Sequence, residues 1–370
     1  MPKRAVWAEI DLAAVEHNIR EIKKKIHGGA KFCAVVKADA YGHGAVPVAN
    51  VALKLGASYL AVAMLSEAIE LREAGITAPI LILGPTPEDE AKELVDYGIT
   101  PAVFTLSLAE AISREAQRQQ KTAKVHLKID TGMSRIGVRP EAAGELGAAI
   151  AALPGIELEG VFSHFALADS RNKDYAKEQL ARFELAIAKL KEKGIEIPLK
   201  HLANSAATLE MPETHFDMVR MGVIIYGLWP SAEVEHVVDL KPAMKVKGHL
   251  ALVKTMHPGE TIGYGRTYTV AKESRIATLP IGYADGYIRA LAGKAAVEFA
   301  DGRRAPVVGR ICMDQCMLDV TGIAEAKEGS EVVIFGSDTL TADEVAEWLG
   351  TINYEVVCLM SPRIPRIYHG

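Results

Sequence analysis

At 370 residues, with 49% hydrophobic and 24% charged residues, the chain has the composition of a folded globular protein, not a disordered one. Its formal net charge of −5 carries no block of like charge, which argues against nucleic-acid and anionic-membrane partners. Its cysteines, Cys33, Cys312, Cys316 and Cys358, form no C-x-x-C pair, so no metal site is expected, and free thiols suit a reducing compartment. The opening Met1-Pro2-Lys3-Arg4-Ala5-Val6-Trp7 lacks the apolar core of a signal peptide, and no apolar run reaches membrane-spanning length. A cytoplasmic protein is expected.

In chain order, residues 5–10 predict a short strand, and Asp11 is the candidate N-cap of a helix running to about His27. Short apolar strands are then predicted at 32–36, 59–63, 80–83, 101–104, 124–129, 159–163, 199–202 and 217–221. Amphipathic helices separate most of them, among them 66–74, 88–96, 107–119 and 174–193. Strands alternating with helices in this number predict a parallel sheet closed as a (β/α)8 barrel, with an open doubly wound sheet as the alternative. No G-x-G-x-x-G follows the first strand, which weakens the dinucleotide reading of that alternative. The interval before the eighth strand has room only for a short helix near 204–210, the weakest point of the barrel pattern.

Beyond about Pro230 the texture changes. Strand-like segments at 244–256, 274–281, 295–299, 305–309, 316–320 and 331–335 are broken by Pro-Gly, Asp-Gly and Gly-Ser turns, with one helix at 341–349. The expected fold is therefore α/β: a TIM-type barrel over 11–237, then a mostly β domain over 238–370, joined by the strand within 1–10.

In such a barrel, function sits at the C-terminal ends of the strands. Strand one ends in Lys37, with Tyr41 in the loop that follows; strand five ends in Lys128-Ile129-Asp130, followed by Arg135. Strand six ends in Ser163-His164, strand seven in Asn204-Ser205, strand eight in Arg220-Met221-Gly222. Each has an ordinary reading by itself: a surface lysine, a structural histidine, a solvated loop arginine. Bases and hydroxyls at one rim argue otherwise. Ser205 with the Gly222 and Val223 amides matches the usual phosphate position of these barrels. A phosphate beside a strand-end lysine suggests pyridoxal 5'-phosphate, since lysine amines form Schiff bases with it. Arg135 suits a substrate carboxylate, which a guanidinium grips bidentately.

The segment Ala34-Val35-Val36-Lys37-Ala38-Asp39-Ala40-Tyr41-Gly42-His43-Gly44 resembles the cofactor-attachment signature of the alanine racemase family. The stretches 128–137, Gly263-Tyr264-Gly265, 281–286, 309–315, Tyr354-Glu355-Val356 and Arg363-Ile364-Pro365-Arg366 extend the resemblance over essentially the whole chain. It implies a homodimer, built head to tail, that interconverts L- and D-alanine and supplies D-alanine for peptidoglycan. Lys37 is then the Schiff-base lysine and one catalytic base; Tyr264, given to the partner subunit's site, is the opposite base. Arg220 faces the pyridine nitrogen and His164 supports the tyrosine. Tyr41, Ser205, Gly222, Val223 and Tyr354 form the phosphate cradle, and Arg135 and Met313 the carboxylate site. In some family members the lysine matching Lys128 is carbamylated and orients the arginine.

The chemistry implied is a two-base proton transfer across opposite faces of the α-carbon. A free phenol has a pKa of about 10, so Tyr264 needs roughly 4 kcal/mol of phenolate stabilisation to act near neutrality, with His164 the candidate source. Type alone makes Tyr264 a buried β-domain tyrosine, but flanking glycines serve exposure better than packing. For Met313, core filling is an equal alternative. Rivals are a serine or broad-specificity racemase, a barrel pyridoxal-phosphate decarboxylase of diamino acids, and a non-catalytic cofactor carrier that would leave 240–370 without a purpose.

Overall fold

The computed structural model describes residues 4–370, which divide into two compact units. One comprises Val15–Ala40 and Ala45–Leu240; the other comprises the N-terminal strand, residues 41–44 and Lys241–Gly370.

The first unit is built on eight parallel strands in the order β8-β7-β6-β5-β4-β3-β2-β9. They are β2 (Lys31–Val35), β3 (Tyr59–Val62), β4 (Ile80–Ile82), β5 (Thr100–Val103), β6 (Ala123–Lys128), β7 (Ile156–Phe162), β8 (Leu199–His201) and β9 (Met218–Met221). Apolar runs buried on both faces suit a parallel sheet wrapped in helices. β9 lies beside β2, and two backbone bonds join β8 to β9: Asp217 N–H to Lys200 O and Arg220 N–H to Ala203 O, each 3.0 Å. The barrel therefore closes at the interval where the sequence pattern was thinnest. That interval holds only the helix Ser205–Glu210, whose N-cap Asn204 accepts the Ala207 N–H at 3.1 Å. On the outside, the helix Ala143–Ala151 packs closely on Asp174–Glu192. Glycine permits it, since a Cβ at Gly147 would lie 2.2 Å from Leu190.

The barrel interior is unusually polar. His126, Lys128, His201 and Arg220 are all buried on inward-facing strand positions. This departs from the branched apolar layers that usually fill such a barrel.

The second unit is a nine-stranded sheet with the order β11-β14-β17-β16-β15-β18-β10-β1-β19. β1 (Val6–Asp11) lies between β10 (Met244–His249) and β19 (Arg366–His369), antiparallel to the first and parallel to the second. Asp11 ends that strand and caps the helix Leu12–Lys23, accepting the Ala14 N–H at 2.9 Å. The stretch expected as a single strand over 244–256 is two strands, β10 and β11 (Leu252–Met256). Between them Leu250 donates to Ser330 O and Ala251 to Thr278 O, so the chain leaves one neighbour and takes up β14 (Ser274–Leu279). The remaining strands are β15 (Ala296–Glu298), β16 (Arg304–Val308), β17 (Cys316–Asp319) and β18 (Glu331–Phe335), with β12 (Thr261–Ile262) and β13 (Tyr268–Thr269) forming a separate ribbon. Helices Ala342–Leu349 and Asn353–Leu359 complete the unit; the second of these helices and β19 were not foreseen from the sequence. No helix among the described residues is long and apolar enough to cross a membrane.

Candidate active site

Lys37 lies two residues beyond the apolar end of β2, after the buried Val36, and is partly exposed. The four residues after it, Ala38 to Tyr41, have φ between 51° and 54°, one turn of left-handed helix built without glycine. Such backbone costs roughly 1–2 kcal/mol per residue, so neighbours must hold it. Two carboxylates do so in the barrel unit. Glu67 accepts the Ala38 N–H at 2.7 Å and the Ala63 N–H at 2.6 Å, tying the residue after Lys37 to the end of β3. Asp39 accepts the Ala45 N–H at 2.7 Å and caps the helix Ala45–Lys54. The sequence reading missed Glu67; its only signal was an acid in the first turn of the helix Leu65–Glu73.

Arg220, on β9, is 3% exposed, yet no carboxylate reaches it among the described residues. Its terminal nitrogens donate to His201 Nδ1 (2.9 Å) and to the carbonyls of His201 (3.0 Å), Ser163 (2.7 Å) and Leu202 (3.0 Å), with His164 Nδ1 at 3.3 Å. Its Nε–H finds no acceptor among the described residues. Burial in these neutral surroundings pulls its pKa down to about 10, leaving it charged at neutral pH.

His164 lies at the end of β7. Burial, then the charges of Arg220, Lys128, Arg135 and Lys37, hold its pKa well below the usual imidazole range. The neutral ring accepts from Arg220 at Nδ1, which places its own proton on Nε2. The ring can therefore donate a hydrogen bond from Nε2 but carries no charge.

Lys128 ends β6 at 3% exposure, donating to Ile129 O at 2.8 Å with its ammonium 5.3 Å from the Phe162 ring centroid. Burial first, then the charges of Arg220 and Arg135, lower its pKa to about 7. Arg135 is exposed on a loop that Asp130 organises by accepting the Gly132 and Ser134 amides at 3.0 and 2.9 Å. Ser205 and Gly222 are brought together, the Gly222 N–H donating to Ser205 Oγ at 3.0 Å, and Val223 opens the short 3-10 turn that follows.

The remaining residues lie in the β unit. Tyr41 is buried, its phenol pushed up by desolvation, and its ring centroid is 6.1 Å from that of Tyr354. Tyr264 sits on the turn between β12 and β13, flanked by Gly263 and Gly265 at φ 73° and 74°. A Cβ on Gly265 would lie 2.8 Å from the Arg310 guanidinium, so this glycine serves the turn and the close approach together. Tyr264 is 69% exposed and Met313 52% exposed, which removes both from the core of this chain. Tyr264 and Cys312, the neighbour of Met313, line a hollow of 470 Å³. The loop bearing Met313 is pinned by its own carbonyl, which accepts the Ala284 N–H at 3.0 Å.

A parallel barrel with an amine, an uncompensated guanidinium and a neutral imidazole at its strand ends, followed in the chain by a β domain, defines a two-domain barrel enzyme with a basic mouth. The chain belongs to the alanine racemase family: residues 10–230 match the model of the alanine racemase N-terminal domain and 243–368 that of the C-terminal domain. It is 53% identical over 365 residues to the alanine racemase of Desulfovibrio desulfuricans, covering 99% of this chain and 98% of that one. Among solved structures it resembles the alanine racemase of Clostridium difficile 630, at TM-score 0.96 and 43% identity over 100% of this chain and 97% of that one. It also resembles the Bacillus anthracis alanine racemase with bound L-Ala-P, at TM-score 0.94 and 39% identity over 100% and 96%.

Proposed function

We propose that this protein is an isomerase that interconverts L-alanine and D-alanine with pyridoxal 5'-phosphate, working as a cytoplasmic homodimer that supplies D-alanine for peptidoglycan. The observation that carries the reading is Arg220: a buried guanidinium with no acid beside it and an Nε–H that no acceptor among the described residues takes up. An acid at that place would deliver a proton to a pyridine nitrogen; an arginine that keeps its own does not. The donor set fits the cofactor in other respects: Lys37 offers the amine and Ser205, Gly222 and Val223 cluster where barrels bind phosphate, while the family resemblance assigns Tyr41 and Tyr354, paired within the β unit, to the same phosphate.

Pyridoxal phosphate, when bound, supplies an electron sink that makes the substrate's α-proton labile. The protein does the rest. Arg135 holds the substrate carboxylate with Met313 of the partner subunit beside it. The Lys37 amine takes or returns the α-proton on one face, and the phenol oxygen of the partner's Tyr264 does so on the other. Two bases on opposite faces make a racemase, because a proton removed from one side is returned from the other. The His164 Nε2–H stabilises the phenolate between these events. By keeping its proton, Arg220 limits charge spread into the ring and so disfavours side reactions such as transamination. Lys128, buried and with a pKa near 7, is neutral often enough to react with carbon dioxide; its carbamate then pairs with Arg135. The exposure of Tyr264 and Met313 in one chain supports their service to a second subunit.

Incubation of the purified protein with L-alanine, L-serine and diamino acids, followed by chiral chromatography, tests this. D-alanine must form without carbon dioxide; carbon dioxide release without a D-amino acid overturns the reading. Tyr264→Phe should slow turnover by about 10²–10⁴-fold, the usual worth of a positioned acid–base group. It should also affect deuterium exchange unequally in the two directions. Equal and modest loss in both directions would make Tyr264 a packing residue.

A further inference from the structure

Behind Arg220 the barrel contains a row of ionisable side chains that the reaction outlined above does not use. Arg220 Nη1 lies 2.9 Å from His201 Nδ1; His201 Nε2 lies 2.9 Å from His126 Nδ1; His126 Nε2 lies 3.2 Å from Glu159 Oε2. Both imidazoles are completely buried. Glu159 is further held by the Tyr59 hydroxyl on the same oxygen and by Lys124 Nζ at 2.5 Å on the other.

The two ends dictate the direction of every bond. A guanidinium only donates and a carboxylate only accepts. His201 Nδ1 must therefore carry a lone pair and its Nε2 the proton. That proton requires a lone pair on His126 Nδ1, which leaves the proton of His126 on Nε2, where Glu159 accepts it. Reversing any one link would set an N–H against the Arg220 N–H, or leave a buried imidazole N–H without a partner, at a cost of about 1–3 kcal/mol.

The surrounding residues are shaped for this row. The His201 ring stacks on Phe162 with centroids 4.8 Å apart and planes 5° apart. A Cβ at Gly160 would lie 2.6 Å from the His126 ring, so glycine at that position leaves the space the imidazole occupies. Along β6 and β7 the pairing register shifts between Val125 and His126, which resets the strand where that ring turns inward. Burial raises the Glu159 pKa, but hydrogen bonds from His126, Lys124 and Tyr59 outweigh it and hold the carboxyl ionised, at about 2.

We propose that Glu159 and His126 are positioning residues for Arg220: the chain Arg220→His201→His126→Glu159 locks both imidazoles as Nε2–H tautomers. His201 Nδ1 is thereby kept as an acceptor that fixes the guanidinium and leaves its Nε–H directed to the cofactor ring. The assignment of that ring rests on the proposed function; the direction of the chain does not.

The experiment uses full-length holoenzyme labelled with ¹⁵N-histidine, reading imidazole tautomers by long-range proton–nitrogen correlation and assigning them with His126→Gln and His201→Asn. Wild-type protein must show His126 and His201 both protonated on Nε2. Glu159→Gln retains an acceptor oxygen for His126, so it should preserve both tautomers and change the dissociation constant for pyridoxal phosphate by less than about threefold. Glu159→Leu removes the acceptor; a Nδ1–H form of His201 should appear and cofactor affinity should fall at least about tenfold, matching one lost hydrogen bond to a charged group. A Nδ1-protonated His201 in wild-type protein overturns the proposal, even if Glu159→Leu fails to fold. So does a Glu159→Leu protein with unchanged tautomers or unchanged cofactor affinity. Wild-type protein that shows the expected tautomers yet does not racemise alanine would refute the proposed reaction and leave the direction of the chain intact.

Discussion

Glu67→Gln is a nearly isosteric change whose effect follows from donor and acceptor counts. The Glu67 carboxylate accepts two backbone amides, one on each oxygen, from Ala38 and Ala63. A glutamine offers one acceptor oxygen and turns an NH2 group toward the other amide, so donor meets donor. A hydrogen bond to a charged group contributes about 1.5–3 kcal/mol, and the surviving one loses its charge assistance, so the variant should lose roughly 2–3 kcal/mol. For a domain of the barrel's size this lowers the unfolding midpoint by roughly 4–12 °C, at about 2–4 °C per kcal/mol. The loss falls on the strained left-handed turn after Lys37, whose first amide Glu67 holds. On the proposed function, the signature should therefore be a lower kcat with KM little changed, together with a broadened or shifted absorption of pyridoxal phosphate added to the protein. Differential scanning calorimetry, steady-state kinetics and absorption spectra read all three. A Glu67→Gln protein with wild-type midpoint and kcat would show that the turn is held elsewhere and refute the argument.

Two further outcomes follow from the burial of Lys128 and the close approach at Gly42. The folded-state pKa of Lys128 lies near 7, below its unfolded value of 10.5, so the unfolded chain binds more protons between these values and stability rises with pH across that window. In buffer purged of carbon dioxide, urea unfolding should show wild-type protein gaining about 2 kcal/mol on Lys128→Met between pH 7 and pH 9; parallel curves would place the lysine in water. Gly42 has φ +80°, and a Cβ there would sit 2.5 Å from the Val357 carbonyl oxygen, so Gly42→Ala should destabilise the β unit by more than the ~1 kcal/mol of backbone strain alone. A wild-type melting profile for that variant would mean the two segments part without cost.

Much of this molecule was written in local pattern. Apolar runs separated by amphipathic helices determined a parallel barrel, because strands that bury both faces have few other ways to be covered. The placement of Lys37, Lys128, His164, Ser205 and Arg220 at strand ends was equally legible, since a residue's position on a strand is a matter of counting. So was the exposure of Tyr264 between two glycines. What tertiary structure alone decided was which of these groups meet, and in what state. His126 and Glu159 lie 33 residues apart in sequence, and His126 and His201 lie 75 apart, so no spacing rule links them; the barrel does, by setting β6, β7 and β8 side by side. The left-handed turn after Lys37 was hidden because three of its four residues are alanine or tyrosine, which seldom adopt positive φ, and the left-handed region is usually visited by single residues. Glu67 was hidden because its two partners are backbone amides, which carry no sequence identity. Protonation was hidden for the same reason as contact: the neutrality of His164 and the low pKa of Lys128 come from burial beside Arg220, and burial is a property of the folded chain.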